Sequence, residues 1–298
     1  MILMSRPPYL PFMDPRTIHA PGIMPLDPAD WLTVHDDYAL QMAYRERLMA
    51  ERPEVVLGLL PEGEAAAGEL LATLLAALSA HPRWQVAGDT VRRPDGAEVR
   101  IDPARPLETM GRLVAEDLCL MLPDAAAGEY RLVAAVLCFP SRWLLAEKLG
   151  RPLTAIHDPV PEYDADLARR VNRMFEAIRP GRPLMRVNWT VHAVPELHLP
   201  RGLSDRLVAE TGIGGPFYLR TERQTLVRLP QTGAVCFGIK TSLTPVANLA
   251  SPEAAALEAA MQTITGGMVG YKGGPEMLAA ACAQLREIAG QGAEASAS

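Results

Sequence analysis

MRVNWTVH at residues 185–192 and FYLRTERQTLVRLPQTGAVCFGIKTSL at residues 217–243 decide the fold of this chain. In the first stretch polar and apolar residues alternate, which is the pattern of a strand with one buried face. The second stretch contains two alternating runs, 217–229 and 234–243, and the residues between them are typical of a hairpin turn. The sequence therefore predicts an antiparallel sheet in the second half of the chain.

Apolar periodicity outside these strands predicts helices on both sides of the sheet. The predicted helices cover residues 38–49, 63–80, 106–122, 164–178, 252–263 and 275–288. One continuous apolar run, 130–139, predicts a buried strand that ends at Pro140. Strands do not alternate regularly with helices, and no glycine-rich phosphate loop opens a helix. The predicted fold class is therefore α+β, with an antiparallel sheet flanked by helices.

Proline and small residues mark the two ends of the chain. Prolines recur between residues 7 and 28 closely enough to forbid a continuous helix there. The last nine residues are small and polar. We therefore expect an extended proline-rich arm over residues 1–35, a single domain over 36–289 and a disordered tail over 290–298.

Composition and charge exclude several classes of protein. The 298 residues are 49% hydrophobic, which is enough to bury a core and excludes disorder for the bulk of the chain. A net charge of −6 without a long basic run argues against binding to nucleic acid. No stretch approaches the roughly 18 apolar residues of a membrane span, and the N-terminus lacks the features of a signal peptide. We expect a cytoplasmic protein with neither nucleic acid nor membrane as a partner.

The four cysteines are far apart in the sequence, at positions 119, 138, 236 and 282. Each lies among apolar neighbours and forms no CxxC pair, which predicts buried, reduced thiols. The chain by itself therefore lacks the usual spacing of a four-thiolate iron–sulfur cluster.

His157 is the first candidate ligand. Pro159 and Pro161 fix the backbone directly after it, and the neighbouring Asp158 could accept the second ring hydrogen. A rigidly held, neutral imidazole with such support is what a metal or a haem iron requires. The alternative is a turn or capping histidine before the helix predicted at 164, and the residue pattern alone favours that alternative.

Polar residues on both faces of the strand 217–229 form the second candidate site. Arg220, Glu222 and Gln224 share one face, whereas Thr221 and Arg223 lie on the other. An antiparallel sheet ordinarily has one polar face, so two polar faces suggest that one of them lines a cavity. Arginines there can pair with carboxylates, and a carboxylate can hold an ammonium group. The alternative is a solvated sheet edge with salt bridges, and composition alone favours it.

Arg142, beside Trp143, is the third candidate. It follows the predicted strand 130–139, where it could form an anion clamp beside a planar cofactor. A loop packed by a cation–π contact is an equally good interpretation. A serine hydrolase has little support, because the Gly-x-Ser-x-Gly motif is absent.

Several segments together resemble one known family. The longest are SRWLLAEKLGRPLTAIHDPVPEY at 141–163, MRVNWTVH at 185–192 and LRTERQTLVRLPQTGAVCFGIKTSLTPV at 219–246. PLDPADWL at 25–32, VAEDLCLM at 114–121 and YKG at 271–273 also match. In this order they are similar to the haem-dependent oxidative N-demethylase α-subunit-like family, over about residues 20–275.

The resemblance implies a PAS-like antiparallel sheet that holds haem b, flanked by helices and preceded by an N-terminal helical arm. It implies an oxygenase subunit that oxidises a methyl group of a small, dimethylamine-like secondary amine with O2 and releases formaldehyde. Electrons would come from a separate NADPH-linked reductase, and FMN and a 2Fe–2S cluster belong to that partner. The cysteine pattern agrees with this division.

Mapped onto this sequence, the resemblance makes His157 the proximal iron ligand and Glu222 the group that holds the amine. The candidate partners of the haem propionates are Arg142, Arg186 and Arg223, and Asn188 is the candidate that lines the pocket. A haem-PAS gas or redox sensor, or another ligand-binding protein without turnover, is the alternative, although nothing in the 298 residues resembles a sensor output element. A member that has lost haem is a further alternative, against which the retained Ile156-His157 motif and both prolines argue.

Overall fold

The computed structural model describes residues 1–18, 22–124, 128–157, 165–201 and 215–296. Within these ranges the chain has an α+β fold with a seven-stranded antiparallel sheet, a small three-stranded sheet and ten α-helices. The predicted α+β class with an antiparallel sheet is therefore confirmed.

The bounds of the elements follow in chain order. The helices are α1 (Tyr38–Glu51), α2 (Pro53–Val56), α3 (Glu64–Ala80), α4 (Pro106–Leu113), α5 (Leu145–Lys148), α6 (Leu153–His157), α7 (Ala165–Ala177), α8 (Ser251–Gln262), α9 (Gly267–Tyr271) and α10 (Pro275–Ser296). The strands are β1 (Met24–Pro25), β2 (Leu57–Leu59), β3 (Gln85–Ala87), β4 (Thr90–Arg92), β5 (Glu98–Arg100), β6 (Asp117–Asp124), β7 (Glu129–Val136), β8 (Leu184–His192), β9 (Tyr218–Arg228) and β10 (Val235–Pro245). Helix α10 thus extends into the segment 290–298, for which the sequence predicts a disordered tail.

The large sheet has the strand order β1-β8-β9-β10-β6-β7-β2, and β3-β4-β5 form the small sheet. The register of the three longest strands fixes which side chains are neighbours: Asn188 of β8 lies opposite Glu222 of β9, which lies opposite Thr241 of β10. Side chains opposite each other in paired strands point to the same face. We call the face that carries Asn188 and Glu222 the site face, and the opposite face the arm face.

Each face of the sheet packs against a different set of elements. On the site face, the apolar cluster joins Cys119, Leu226 and Val235 of the sheet to Leu153 of α6 and Phe175 of α7. On the arm face, the main core contains buried residues of α1, α3 and α4, and a second cluster contains buried residues of α8 and α10. The site face is therefore covered by the short helices that connect β7 to β8.

The N-terminal residues run along the sheet. The Met4 N–H donates to the carbonyl of Leu243 at 2.7 Å, and Met24 of β1 lies opposite Met185 of β8. Phe12 packs edge-on against Trp189, with ring centroids 5.8 Å apart. These contacts attach the proline-rich segment to the arm face and to the edge of β8.

The predicted helix over 106–122 is wrong in its second half. Helix α4 ends at Leu113, and β6 begins at Asp117. The carboxylate of Asp117 accepts the backbone N–H groups of Cys138 and Phe139 at 2.7 and 2.8 Å and pairs with buried Arg45 at 2.5 Å. Strand β6 is buried on both faces over most of its length, so its apolar residues run on without the alternation that identifies a strand.

One helix in the described part of the chain, Pro61–Ala80, is long and apolar enough to cross a membrane by length and composition. Its side chains Leu70, Leu71, Leu74 and Leu78 are buried in the main core. That packing is the one expected of a core helix.

Candidate functional site

A group of polar side chains lies on the site face where β8 pairs with β9. Arg186 lies opposite Gln224, and Asn188 lies opposite Glu222, so the four side chains are direct neighbours. All four are partly buried. The structure thus brings together three of the predicted site residues: Arg186, Asn188 and Glu222.

Glu222 is held in place by its neighbours through both carboxylate oxygens. Its Oε1 lies 3.1 Å from Nε of Arg220, and its Oε2 accepts hydrogen bonds from Gln224 at 3.1 Å and from Asn188 at 3.4 Å. Burial on its own raises the pKa of Glu222, but the charge and hydrogen bond of Arg220, together with the two amides, hold that pKa below its usual range. The carboxylate is therefore ionised at neutral pH, with 13% of the side chain exposed.

Arg220 is fully buried behind Glu222. Its Nη1 donates to the carbonyl of Leu197 at 3.1 Å, and its Nη2 donates to the carbonyl of Phe139 at 2.6 Å. Because the guanidinium is fixed at three points, it holds the carboxylate of Glu222 in one orientation. Strand alternation places Arg220 and Gln224 on the face of Glu222, as predicted, but sequence reasoning gave neither residue a role of its own in the site.

Arg186 presents a buried positive charge to the site face. Its Nε is buried and has no hydrogen-bond partner among the described residues. Burial lowers the pKa of Arg186, and the charge of Glu222 opposes that shift. Buried charged groups in folded proteins are normally hydrogen-bonded, since an unsatisfied one costs several kcal/mol. An anion placed against Arg186 would supply the missing partner.

His157 ends the short helix α6, which covers the site face. Its Nδ1 lies 2.8 Å from the carbonyl oxygen of Leu153, one helical turn earlier. A carbonyl only accepts hydrogen bonds, so the ring proton is on Nδ1, and in the neutral ring Nε2 carries the lone pair. Burial lowers the pKa of His157. The hydrogen bond to Leu153 acts to raise that pKa, and the positive charges of Lys148 and Arg186 lower it further. The ring is therefore neutral at pH 7.

The site-face cluster provides apolar surface next to the residue that precedes His157. Ile156 packs against this cluster, and so do Leu184 of β8 and Phe237 of β10. Trp143 belongs to the same partly buried set and stacks against Lys148, with Nζ 4.4 Å from the ring centroid. Apolar walls with a few fixed polar groups are the usual construction of a cofactor site.

Residues 22–282 match the family model described as haem-dependent oxidative N-demethylase, alpha subunit-like. The chain belongs to this family. The predicted family is therefore confirmed, and the matched range includes α6, β8 and β9. The description of the N-demethylase family suggests an enzyme that depends on haem, and an alpha subunit implies a complex of several subunits.

The site-face residues fit the haem that the N-demethylase family implies. A haem iron takes an axial imidazole through a nitrogen lone pair, which Nε2 of His157 carries. The buried Nε of Arg186 has no hydrogen-bond acceptor among the described residues, and a haem propionate is an anion that could accept its hydrogen bond. The porphyrin itself needs apolar walls, such as those formed by Ile156, Leu184 and Phe237.

Asp158, predicted to support His157, lies outside the described residues. Among the described residues, the carbonyl of Leu153 accepts the Nδ1 proton. The signal for this contact is the helical i−4 spacing, which sequence reasoning missed because helix α6 spans only five residues.

The structure does not bring Arg223 to the site face. Its side chain points to the arm face, where it is buried and donates to the carbonyls of Trp31 at 3.0 Å and Asp30 at 2.5 Å. Arg142 lies in the loop after β7 with a φ of 60°, in the left-handed region, and its Nη1 donates to the carbonyl of Tyr271 at 3.3 Å. Arg142 thus reaches the last residue of α9.

Two further histidines are buried near the ends of strands. His192 Nε2 lies 2.8 Å from Oγ1 of Thr190, and His198 Nδ1 lies 2.7 Å from the carbonyl of Cys138. Among the residues that the structure describes, no group of three or more His, Cys, Asp or Glu side chains could hold a metal ion.

Proposed function

We propose that this chain is the oxygenase subunit of an oxidative N-demethylase that acts on a small, dimethylamine-like secondary amine. The observation that carries the proposal is the grouping, on and over one sheet face, of a neutral histidine, an ionised carboxylate and a buried guanidinium whose Nε has no hydrogen-bond partner among the described residues. His157 would ligate the iron of haem b through Nε2, and Arg186 would bind a propionate.

Glu222 would bind the amine. A secondary amine is a cation at neutral pH, and the carboxylate is held ionised and oriented by Arg220, Asn188 and Gln224. Bound haem supplies the oxygen activation and electron transfer that side chains cannot. The reaction would insert one oxygen atom of O2 into a C–H bond of the N-methyl group, and the resulting carbinolamine would release formaldehyde and the primary amine. The other oxygen atom would leave as water, with two electrons from NADPH and two protons.

The electrons would reach this subunit from a partner. We assign NADPH, FMN and a 2Fe–2S cluster to a separate reductase, which agrees with the alpha-subunit description of the family. The four cysteines support that division, because all are free and three are buried. Free thiols also support the cytoplasmic location that we propose.

The fold would be PAS-like, with one domain over residues 36–289. Five neighbouring strands support this proposal: β7, β6, β10, β9 and β8 stand in that spatial order. Numbered by chain order among themselves, they run 2-1-5-4-3, the order of a PAS sheet. The helices α5, α6 and α7 connect the second strand to the third, so His157 lies in that connection.

An absorption spectrum tests the proposal most directly. Protein purified with adequate haem supply should show a Soret band that shifts when dimethylamine is added, and it should release formaldehyde when a reductase is supplied. A Soret band without amine-dependent turnover would favour the sensor or another ligand-binding role. A chain that takes up no haem, even after reconstitution, would contradict the proposal.

The iron ligand is tested by paired histidine variants. His157→Ala should lose haem, and added imidazole should restore a Soret band by filling the vacated space. His198→Gln is the matched control, because His198 also places Nδ1 against a backbone carbonyl but has Arg52 and Asp117 as its charged neighbours. Full haem loading of His157→Ala would remove His157 from the iron, and loss of haem only in His198→Gln would move the ligand to His198.

The amine site is tested by Glu222→Gln. This variant keeps the shape of the side chain and removes its charge, so haem should stay bound while dimethylamine affinity falls about tenfold or more. Spectral titration of the Soret band with dimethylamine measures that affinity. Unchanged affinity would remove Glu222 from the amine site.

A further inference from the structure

Five exposed arginines follow the outer side of α7 and the turn after it. We call them the basic stripe: Arg169, Arg170, Arg173, Arg179 and Arg182. Asp166 and Glu176 are the only carboxylates between residues 166 and 183. The chain as a whole carries a net charge of −6, so this surface has the opposite sign to the rest of the protein.

The two ends of the basic stripe differ in their ion pairs. Arg169 and Arg170 both contact Asp166, at 3.2 and 3.3 Å. Arg173, Arg179 and Arg182 make no ion pair with a carboxylate in the part of the chain that the structure describes. Asp158, Glu162 and Asp164 precede α7 in the sequence, whereas these three arginines lie in its second half and beyond it. A planar guanidinium binds a carboxylate through two hydrogen bonds, so this end of the stripe suits an acidic surface.

The opposite side of α7 packs on the layer that carries His157. Phe175 and Ala168 are buried, and Ile156, the residue before His157, packs against the cluster that contains Phe175. A helix with its side chains is about 10–12 Å across, so the basic stripe lies about one helix diameter from that layer. Arg228 anchors the end of α7 by donating to the carbonyls of Phe175 at 2.6 Å and Ile178 at 2.8 Å.

We propose that the basic stripe is the docking surface for an acidic electron-transfer protein. This inference rests on the proposed function, because it assigns the surface through which the haem is reduced. In each docking event the reduced centre of the partner loses one electron and the ferric iron gains it. Complementary charge steers such encounters and sets their rate and their salt dependence more than their affinity.

The test uses an acidic, plant-type 2Fe–2S ferredoxin, reduced photochemically, as the probe. Stopped-flow absorption follows haem reduction in wild type and in the triple variant Arg173→Glu, Arg179→Glu and Arg182→Glu. At low ionic strength the rate of the triple variant should fall about tenfold or more, and high ionic strength should narrow the difference. The matched control reverses three exposed arginines on α4 and around the small sheet, Arg83, Arg92 and Arg112, and should keep the wild-type rate.

Three further measurements separate the docking surface from the proposed function. Reduction by dithionite, a small reductant, should be the same in all variants, which shows that the haem is intact. Calorimetric binding of oxidised ferredoxin should weaken in the stripe variant alone, with or without haem. Light scattering shows whether a second copy of this chain uses the stripe.

The outcomes distinguish the two ideas. Wild type without haem overturns the proposed function. Equal ferredoxin rates in the two triple variants, or wild type that dithionite reduces and ferredoxin does not, overturn the docking surface. Loss of self-association in the stripe variant with an unchanged ferredoxin rate overturns it in favour of a second copy.

Discussion

The two faces of the sheet at β9 differ in how their buried charged side chains are paired. On the arm face, Arg223 donates to two backbone carbonyls, and Lys240 opposite it contacts Asp37 at 3.4 Å and Gln41 at 2.9 Å. On the site face, Arg186 has a buried Nε without a partner among the described residues. Arg223 and Lys240 are thus paired by groups of this chain, whereas Nε of Arg186 has no such partner in the part of the chain that the structure describes.

The difference arises from what covers each face. The arm and helix α1 bring carbonyls, a carboxylate and an amide onto the arm face, since Asp30 lies in the arm, Asp37 directly precedes α1 and Gln41 lies within it. The site face is covered by α6 and α7, which contribute apolar side chains and one imidazole. A sheet with two polar faces thus has one structural face and one candidate ligand face.

The largest effect is expected on the arm face, from Lys240→Met. The change leaves the buried carboxylate of Asp37 with Gln41 as its remaining side-chain partner, and breaking a buried ion pair costs about 3–5 kcal/mol. The free energy of unfolding, measured with urea, should fall by that amount while haem affinity stays the same. Adding Asp37→Asn to Lys240→Met should recover part of the loss. A loss of haem affinity with no loss of stability would break the distinction between the faces.

The next effect is a crossover between two arginines, one on each face. Arg186→Met removes a poorly satisfied buried charge, so the apoprotein should gain about 1–3 kcal/mol of stability, while haem affinity falls about tenfold or more. Arg223→Met should lower the stability of the apoprotein, because it leaves the carbonyls of Asp30 and Trp31 without their hydrogen-bond donor. It should leave haem affinity unchanged. Urea unfolding of the apoproteins and haem titration measure both quantities. If both variants destabilise the apoprotein equally, Arg186 is an ordinary structural residue.

Sequence alone accounts for much of the fold. Alternation over 185–192 and 217–229 predicts β8 and β9 to within a residue or so, and helical periodicity predicts α1 and α3 equally well. The sequence does not predict the strands β2 to β5, because three residues are too few to show a period. It predicts a helix where strand β6 lies, because burial on both faces removes the alternation of a strand.

The site is predictable only as far as strand geometry reaches. Alternation correctly places Glu222 and Gln224 on one face and Arg223 on the other. That Arg223 is satisfied by Asp30 and Trp31 depends on residues nearly two hundred positions earlier, and no local pattern encodes such a contact. The local sequence around Arg186 is equally unable to predict its unsatisfied Nε. That atom lacks a partner because no acceptor from another described segment reaches it.

The smallest effect concerns the protonation of Glu222. Since its pKa is lowered in the folded protein, ionised Glu222 contributes stability that is present above the unfolded pKa near 4.3 and is lost as pH falls through the folded pKa. Urea unfolding of the apoprotein should therefore show wild type more stable than Glu222→Gln by a constant amount above about pH 5. Below that pH the difference should shrink, by about 1.4 kcal/mol for each unit of the shift.

The direction of this change distinguishes the two interpretations of the site-face carboxylate. A carboxylate held ionised by Arg220 gives a difference that shrinks as pH falls, whereas one dominated by burial has a raised pKa and gives a difference that grows. If the raised pKa lay above 7, Glu222 would be neutral when the pocket is empty. A neutral carboxyl neither pairs with an ammonium charge nor accepts its proton, so the amine would have to arrive uncharged, and the anionic amine site proposed here would be wrong.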